Sequence, residues 1–317
     1  MKNKITSLFI LITLITFSIL IFNYSNDVMD QVTFSISLWK DKLLPSLLPL
    51  FLFSELLISY GFIELMGGLV GNFFSKLLYV PREASFAIVA SMVSGFPSGS
   101  KYVRDLYDNN YINVDDANYL LTFTHFANPM FVMGMIGTYI LGNKSLGFTI
   151  LVAHIVGNII IALIFRRKKE ISCNYVDIRT TFNRVHKKRM DNDNFVNVLI
   201  KSILKSLKLL VLILGIITFF SIITIIITNL FKLSPFNTVL LKGILEMTQG
   251  INSIAYINIP INFKAALITA FISFGGISVH FQVKSIIDGC NIKYKYFLIA
   301  RIIHSIISGI LVFILIR

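Results

Sequence analysis

Long apolar runs separated by short polar stretches set the rhythm of this chain. Most are too long for the helices of a water-soluble domain and match a bilayer core about 30 Å thick. The first, Ile5–Phe22, would be about 27 Å long as a helix. It follows Lys2 and Lys4 and runs on into Asn23-Tyr24-Ser25-Asn26 without a small-x-small cleavage pattern, which favours a retained transmembrane helix over a signal peptide. Leu43–Tyr60, Ala117–Leu141, Leu146–Phe165, Leu207–Thr228, Phe263–Ile287 and Tyr296–Ile316 are each predicted to span as well. Three stretches depart from this pattern. Phe62–Tyr79 carries Glu64, Gly67, Gly68, Gly71, Asn72 and Lys76 and suits a helix lying in the membrane interface. Ala84–Leu106 and Thr238–Ile257 are broken near their middles, by Ser94-Gly95-Phe96-Pro97-Ser98-Gly99 and by Thr248-Gln249-Gly250. Both are predicted to be re-entrant hairpins, tolerated at depth only where protein or water satisfies the freed backbone groups.

Composition agrees: 55% of residues are apolar, 14% are charged and the mean hydropathy is +0.77. The 29 Lys and Arg against 16 Asp and Glu, a formal +13, would suggest a nucleic-acid partner in a soluble protein. Here the basic residues gather in loops between apolar runs, which excludes that reading. The densest loop holds Arg166, Arg167, Lys168, Lys169, Arg179, Arg184, Lys187, Lys188 and Arg189 against Glu170 and Asp177, and is predicted to be cytosolic. It should serve chiefly as a topological anchor at the lipid surface. Cys173 and Cys290 are too few for a disulfide scaffold and lack metal-ligand spacing.

Charge then fixes direction. With Lys2 and Lys4 inside, the chain crosses at 5–22 and 43–60, dips from the cytosolic side at 84–106, crosses outward at 117–141 and returns at 146–165, leaving Arg166 inside. It crosses outward again at 207–228, dips from the outer side at 238–257, returns at 263–287 and exits at 296–316. Span, hairpin, broken span and span thus occur twice with opposite orientation, the layout of an inverted-repeat transporter. The expected fold is an all-α polytopic membrane protein with two re-entrant hairpins and two broken transmembrane helices. Its parts are an N-terminal helix and linker (1–42), a first repeat (43–165), a basic cytosolic loop with an amphipathic segment (166–206) and a second repeat (207–317). Setting Phe123–Asn128 over Phe271–Gly276 aligns both phenylalanines and brings Gly99 near Gly250.

The polar residues inside these runs are the candidate chemistry. A half-helix starting at Ser98-Gly99-Ser100 would aim free N–H groups into the membrane interior, with Lys101 and Arg104 on its first turns, an arrangement suited to an anion. The same residues also fit a plain tight turn, with Lys101 reaching toward the cytosolic interface. Thr124-His125-Phe126-Ala127-Asn128-Pro129 breaks a span, since Pro129 removes a helical hydrogen bond while Thr124 and Asn128 add polar groups at the same depth. A proline kink held by a neighbouring helix is the structural alternative there. The matching break runs from Ser273 through Gly275, Gly276 and Ser278 to Gln282. Glu246, with Thr248 after it, is an acid at membrane depth, either a proton or cation site or the partner of Lys242 one turn earlier. Glu55, His154, Arg301 and His304 are weaker candidates that could equally settle helix contacts.

Four stretches carry a family resemblance: Trp39…Leu43-Leu44-Pro45-Ser46-Leu47-Leu48-Pro49, Ser94–Lys101, Phe123–Phe131 and Ser273–Gln282. Together, and in this order, they resemble the YlbJ (SpoVV) family of sporulation integral membrane proteins, from about residue 35 to the C-terminus. The resemblance implies a nucleoside-recognition or gate domain similar to the core of concentrative nucleoside transporters. It also implies a role in moving dipicolinic acid out of the mother cell across the outer forespore membrane. Where the nucleoside carriers place amide and acidic groups, the first hairpin here offers Phe96-Pro97-Ser98-Gly99, so nucleoside specificity is not carried over.

Three functional classes follow: a small-dicarboxylate transporter, a carrier of nucleosides or other solutes with the same fold, and a membrane scaffold for spore-envelope assembly. Expected substrate contacts are Ser98, Gly99, Ser100, Lys101, Thr124, Asn128, Ser278 and Gln282. Coupling or gating falls to Glu246, Thr248, His125, Gly275 and Gly276. No cofactor or metal is expected beyond a coupling cation or proton. The expected partners are a small anionic substrate, the lipid bilayer and further copies of the chain as a homo-oligomer. No nucleophile, base and orienting acid fall at recognisable spacing, so no enzyme is expected.

Overall fold

The computed structural model describes residues 2–167, 178–190 and 194–316, and it is helical throughout, with no strand among these residues. Cys173, Lys168, Lys169, Glu170 and Asp177 lie outside them. Five helices are long and apolar enough to cross a membrane: Thr6–Asn23, Lys144–Ile164, Phe195–Phe231, Ile261–Ile286 and Tyr294–Leu315. A sixth is added if the bent run from Ser25 to Ser59 is one span. The chain is therefore a multi-pass membrane protein.

Helix α1 (Lys2–Asn23) turns at once into α2 (Ser25–Leu38), which continues through a π-helical turn π1 (Trp39–Leu43) into α3 (Leu44–Ser59). The two halves meet at 52°. The bend sits where Pro45 and Pro49 each remove a backbone donor. The linker expected before residue 43 is thus helix. Its polar residues mask an amphipathic stripe, Val28, Ser35 and Leu38, that is buried along the later helix α11 (Phe195–Phe231). Ser35 Oγ lies 3.0 Å from Ser221 Oγ, Trp39 Nε1–H donates to Leu210 O at 2.8 Å, and Asn229 donates to Asp27 at 2.7 Å. Helix α11 itself starts at Phe195, so it runs unbroken through the boundary expected at 206.

Helices α4 (Phe62–Leu69) and α5 (Gly71–Leu78) have eight residues each, about 12 Å, too short to span. The basic helix α10 (Ile178–Met190) lies on them, with Thr181 over Gly68 and Val185 so near Gly61 that a Cβ there would be 3.1 Å from its Cα. Tyr111 donates to Glu64 beside this layer, and burial, then that hydrogen bond, push its phenol above the ordinary range.

Two helical hairpins form, the first turning at its expected break and the second at Glu246 instead of the expected Thr248-Gln249-Gly250, which lies inside the second arm because Glu246 caps that helix. Helix α6 (Ala84–Ser94) folds back into α7 (Ser98–Asp108), and α12 (Pro235–Leu245) into α13 (Met247–Ile254). The arms of the second touch where Gly250 meets Gly243; in the first, a Cβ on Gly99 would lie 3.2 Å from Ser91 Cβ of the other arm and nearer still to the Thr124 carbonyl.

The expected span 117–141 is not one helix. Helix α8 (Val114–Phe123) ends in five non-helical residues, 124–128, and the chain resumes into the π-helix π2 (Phe131–Ile140). Pro129 cannot donate to the preceding turn, and the wider π register of π2 lets Gly137 pack directly on Gly147 of α9 (Lys144–Ile164). The second break separates α14 (Ile261–Phe274) from α15 (Gly276–Ile286), and α16 (Tyr294–Leu315) closes the chain. At one end of the bundle, Arg104 donates to Asp288 O at 2.6 Å, Asn118 accepts from Lys293 N–H at 2.6 Å and Arg167 pairs with Asp115 at 3.6 Å. Toward the other end, Val239, Leu141, Ile257 and Ile316 share one apolar cluster.

Candidate functional site

Both hairpin turns pack on the two helix breaks, and small residues make this possible. Gly95 has φ +78, and a Cβ there would be 2.6 Å from Asn128 N; a Cβ on Gly99 would collide with the Thr124 carbonyl. Phe96 N–H donates to Phe126 O at 2.7 Å, so the first turn is bonded directly to the first break. Across the molecule Gly276, at φ +68, would place a Cβ 2.9 Å from Met247 N in the second turn. The breaks also touch one another, because a Cβ on Gly275 would sit 3.1 Å from both Cε1 and Nε2 of His125. Only glycine satisfies both the left-handed backbone and the close approach at 275 and 276.

The sequence-derived residues divide between two sides of this crossing. On the first side Thr124 Oγ1 donates to Leu120 O at 3.0 Å, and Asn128 Oδ1 accepts from Met130 N–H at 2.8 Å, so both cap the broken ends. Ser100 Oγ donates to Pro97 O at 2.6 Å. Ser98 Oγ and His125 Nε2 are buried without a hydrogen-bond partner among the described residues. A closed seam too narrow to hold a water molecule lies here, lined by Gly99, Ser100, Thr124, His125 and the rings of Phe96 and Phe297. Phe96 stacks on the His125 ring at 4.6 Å.

On the second side Glu246 is the N-cap of α13. Its carboxylate accepts from Gln249 N–H at 3.0 Å and from the Thr248 hydroxyl, with Ser278 Oγ at 3.5 Å. These are its hydrogen-bond partners, and no ion pair joins it to Lys242 among the described residues. A carboxylate at a helix N-terminus is held by free N–H groups and the dipole. The two hairpins therefore differ: α13 carries its own acid as a cap, while α7 begins at Pro97 with no side-chain cap. Gln282 is buried one turn beyond Ser278 on α15.

Lys101 faces elsewhere. Its ammonium is paired with Glu55 of α3 and with Asp105 at 2.9 Å, and Lys205 of α11 pairs with the same two carboxylates at 3.1 and 2.8 Å. Two buried acids already compensate the charge that was expected to meet a substrate carboxylate. The quartet ties the hairpin arm to α3 and α11. The spacing of Lys101 and Asp105 one turn apart was visible in the sequence, but Glu55 and Lys205 come from distant segments.

A second buried network gathers residues that the sequence ranked low. Arg301 is fully buried. It donates through NH1 to His304 Nδ1 at 2.7 Å and through NH2 to Asn158 Oδ1 at 3.1 Å and to the Thr122 carbonyl. His304 Nε2–H donates to His154 O at 2.9 Å. His154 Nε2 accepts from Ala127 N–H at 2.9 Å, which leaves its proton on Nδ1, 2.9 Å from Ser273 Oγ. Ser308 Oγ is 2.7 Å from the same hydroxyl, and Asn158 Nδ2–H donates to His125 O at 2.6 Å. The network thus ties the first break, at Thr122, His125 and Ala127, to the second, at Ser273. His154 and His304 are each the eleventh residue of their helices, and Asn158 and Ser308 each the fifteenth. That matched spacing was the available signal, and it shows only once the helix starts are known.

No family model and no solved structure matches the chain. It is 28% identical over 309 residues to the sporulation integral membrane protein YlbJ of Bacillus subtilis (strain 168), covering 88% of this chain and 75% of that relative. Over that length the chain is similar to YlbJ. Three of the four stretches that resemble YlbJ proteins converge at the crossing: Ser94–Lys101 makes the first turn, Phe123–Phe131 the first break and Ser273–Gln282 the second. The fourth, Trp39–Pro49, forms the bend against α11.

Proposed function

We propose that this protein is a sporulation membrane transporter that moves dipicolinic acid, a small dicarboxylate, from the mother cell across the outer forespore membrane. The observation that carries the reading is the crossing itself. Two helical hairpins dock on two broken helices, the first through Gly95 and Gly99 of its turn and the second against Gly276 of the break, and the closing helices α9 and α16 present polar residues at matching positions to both breaks. Breaks of this kind cost backbone hydrogen bonds in a membrane and are kept where they serve a solute. The repeat reading places the hairpins on opposite faces, which is supported by α7 ending beside Asp288 and by Ile257 clustering with Leu141 and Ile316. Dipicolinate is dianionic at neutral pH. The buried Ser98 hydroxyl at the start of α7, without a hydrogen-bond partner among the described residues, is a donor suited to a carboxylate. The seam beside it is closed by Phe96 and Phe297, so entry requires the hairpin tip to move.

The test is uptake into proteoliposomes holding the purified protein. Labelled dipicolinate should accumulate, and excess unlabelled dipicolinate should compete where uridine does not. Competition by uridine alone would favour a nucleoside carrier; no flux of either, with disrupted spores on loss of the protein, would favour a scaffold.

Coupling is assigned to Glu246. Glu246→Gln keeps an amide oxygen able to accept from Gln249 N–H, so the variant should insert at normal levels. Its dipicolinate flux should lose the dependence on pH or on the driving cation that the wild type shows. An unchanged profile would reduce Glu246 to a helix cap.

A further inference from the structure

The matched positions on α9 and α16 have one exception. Arg301, the eighth residue of α16, has Leu151 as its counterpart on α9. A near-symmetric core therefore carries one unbalanced cation. Every acceptor around its guanidinium is neutral: the Thr122 and Ser273 carbonyls, the Asn158 amide and the His304 ring. The histidines do not supply a negative charge, and their hydrogen bonds define neutral tautomers, with Nδ1–H on His154 and Nε2–H on His304. No carboxylate pairs with Arg301 among the described residues, whereas Lys101, the other buried cation near the crossing, has two. The Nε of Arg301 is buried without a hydrogen-bond partner.

Its position relates this charge to the seam. Arg301 lies 5.5 Å from the centre of the Phe297 ring, and His125 packs on the same ring at 5.4 Å. Phe297 and His125 both line the seam at the first hairpin turn. A full charge in low dielectric acts over such distances, and isolating it costs free energy unless an anion approaches.

We infer that Arg301 is the fixed positive charge that makes this site select carboxylate-bearing solutes. This rests on the transport reading above and moves anion selection from Lys101 to a residue on the last helix. Arg301 does not touch the seam itself. It acts through the field behind Phe297, while the unpartnered Ser98 hydroxyl at the start of α7 is a nearby donor.

The experiment measures binding of two probes, dipicolinate and its neutral diamide, to purified wild type, Arg301→Gln and Arg301→Lys. Arg301→Gln should weaken dipicolinate by about tenfold or more while leaving the diamide unchanged or tighter, and Arg301→Lys should restore most of the dipicolinate affinity. Parallel loss of both probes in Arg301→Gln would make the residue a structural brace and overturn the inference. So would unchanged dipicolinate binding. If the wild type binds the diamide as well as the dianion, charge selection is absent and the inference fails while transport of a solute stands. If the wild type binds neither, the transport reading fails and takes the inference with it.

Discussion

Lys101→Met is expected to prevent accumulation of folded protein, and adding Asp105→Asn to recover much of it. The single change leaves Glu55 and Asp105 buried together with only Lys205 to share. Breaking a buried pair by removing one partner costs about 3–5 kcal/mol, because the remaining charge is uncompensated. The double variant leaves one acid, Glu55, facing one base, Lys205, and so should be closer to wild type than the single variant despite carrying more changes. Thermal unfolding of the detergent-solubilised proteins and the amount inserted in the membrane give the comparison. A Lys101→Met protein of normal stability that has lost only substrate binding would return Lys101 to the site.

Gly99→Ala should be the other severe change. The added methyl would meet the Thr124 carbonyl, which belongs to the end of α8 and cannot swing aside as a side chain would. Overpacking of this kind costs about 1–3 kcal/mol, and here the strain falls on the contact between hairpin and break. Flux should drop by about tenfold or more, alongside a lower unfolding temperature. Gly215→Ala is the matched control: it lies within α11 with nothing near its Cβ, so it should leave both measurements unchanged or raise stability slightly. Equal behaviour of the two variants would mean that the first turn does not seat on the break as described.

Much of this was readable beforehand because membranes impose coarse rules. Apolar run length placed the long helices, and Ser94–Gly99, Asn128-Pro129 and Gly275-Gly276 announced their breaks through residues that cannot continue a helix. The helix from Ser25 was hidden because Asp27, Asp30 and Gln31 dilute its hydropathy, although its buried stripe needs only one residue per turn. The ion pairs of Lys101 were hidden for a different reason. A lysine after a helix start looks like an anion ligand until its partners are known, and Glu55 and Lys205 stand 46 and 104 residues away in sequence. His154, Arg301 and His304 were legible as polar residues in spans. Their convergence depends on how α9 and α16 pack, which no local pattern encodes.

The most direct test of the architecture is the sidedness of the two hairpin bases. In a background with Cys173 and Cys290 replaced by serine, Asn109→Cys reports the end of α7 and Asn258→Cys the chain beyond α13, both exposed positions. Using membrane-impermeant maleimide on oriented vesicles, Asn109→Cys should be labelled only from the face that carries Arg166 and Arg167, and Asn258→Cys only from the opposite face. Labelling of both from the same face would contradict the inverted arrangement of the hairpins and the transport site built on it.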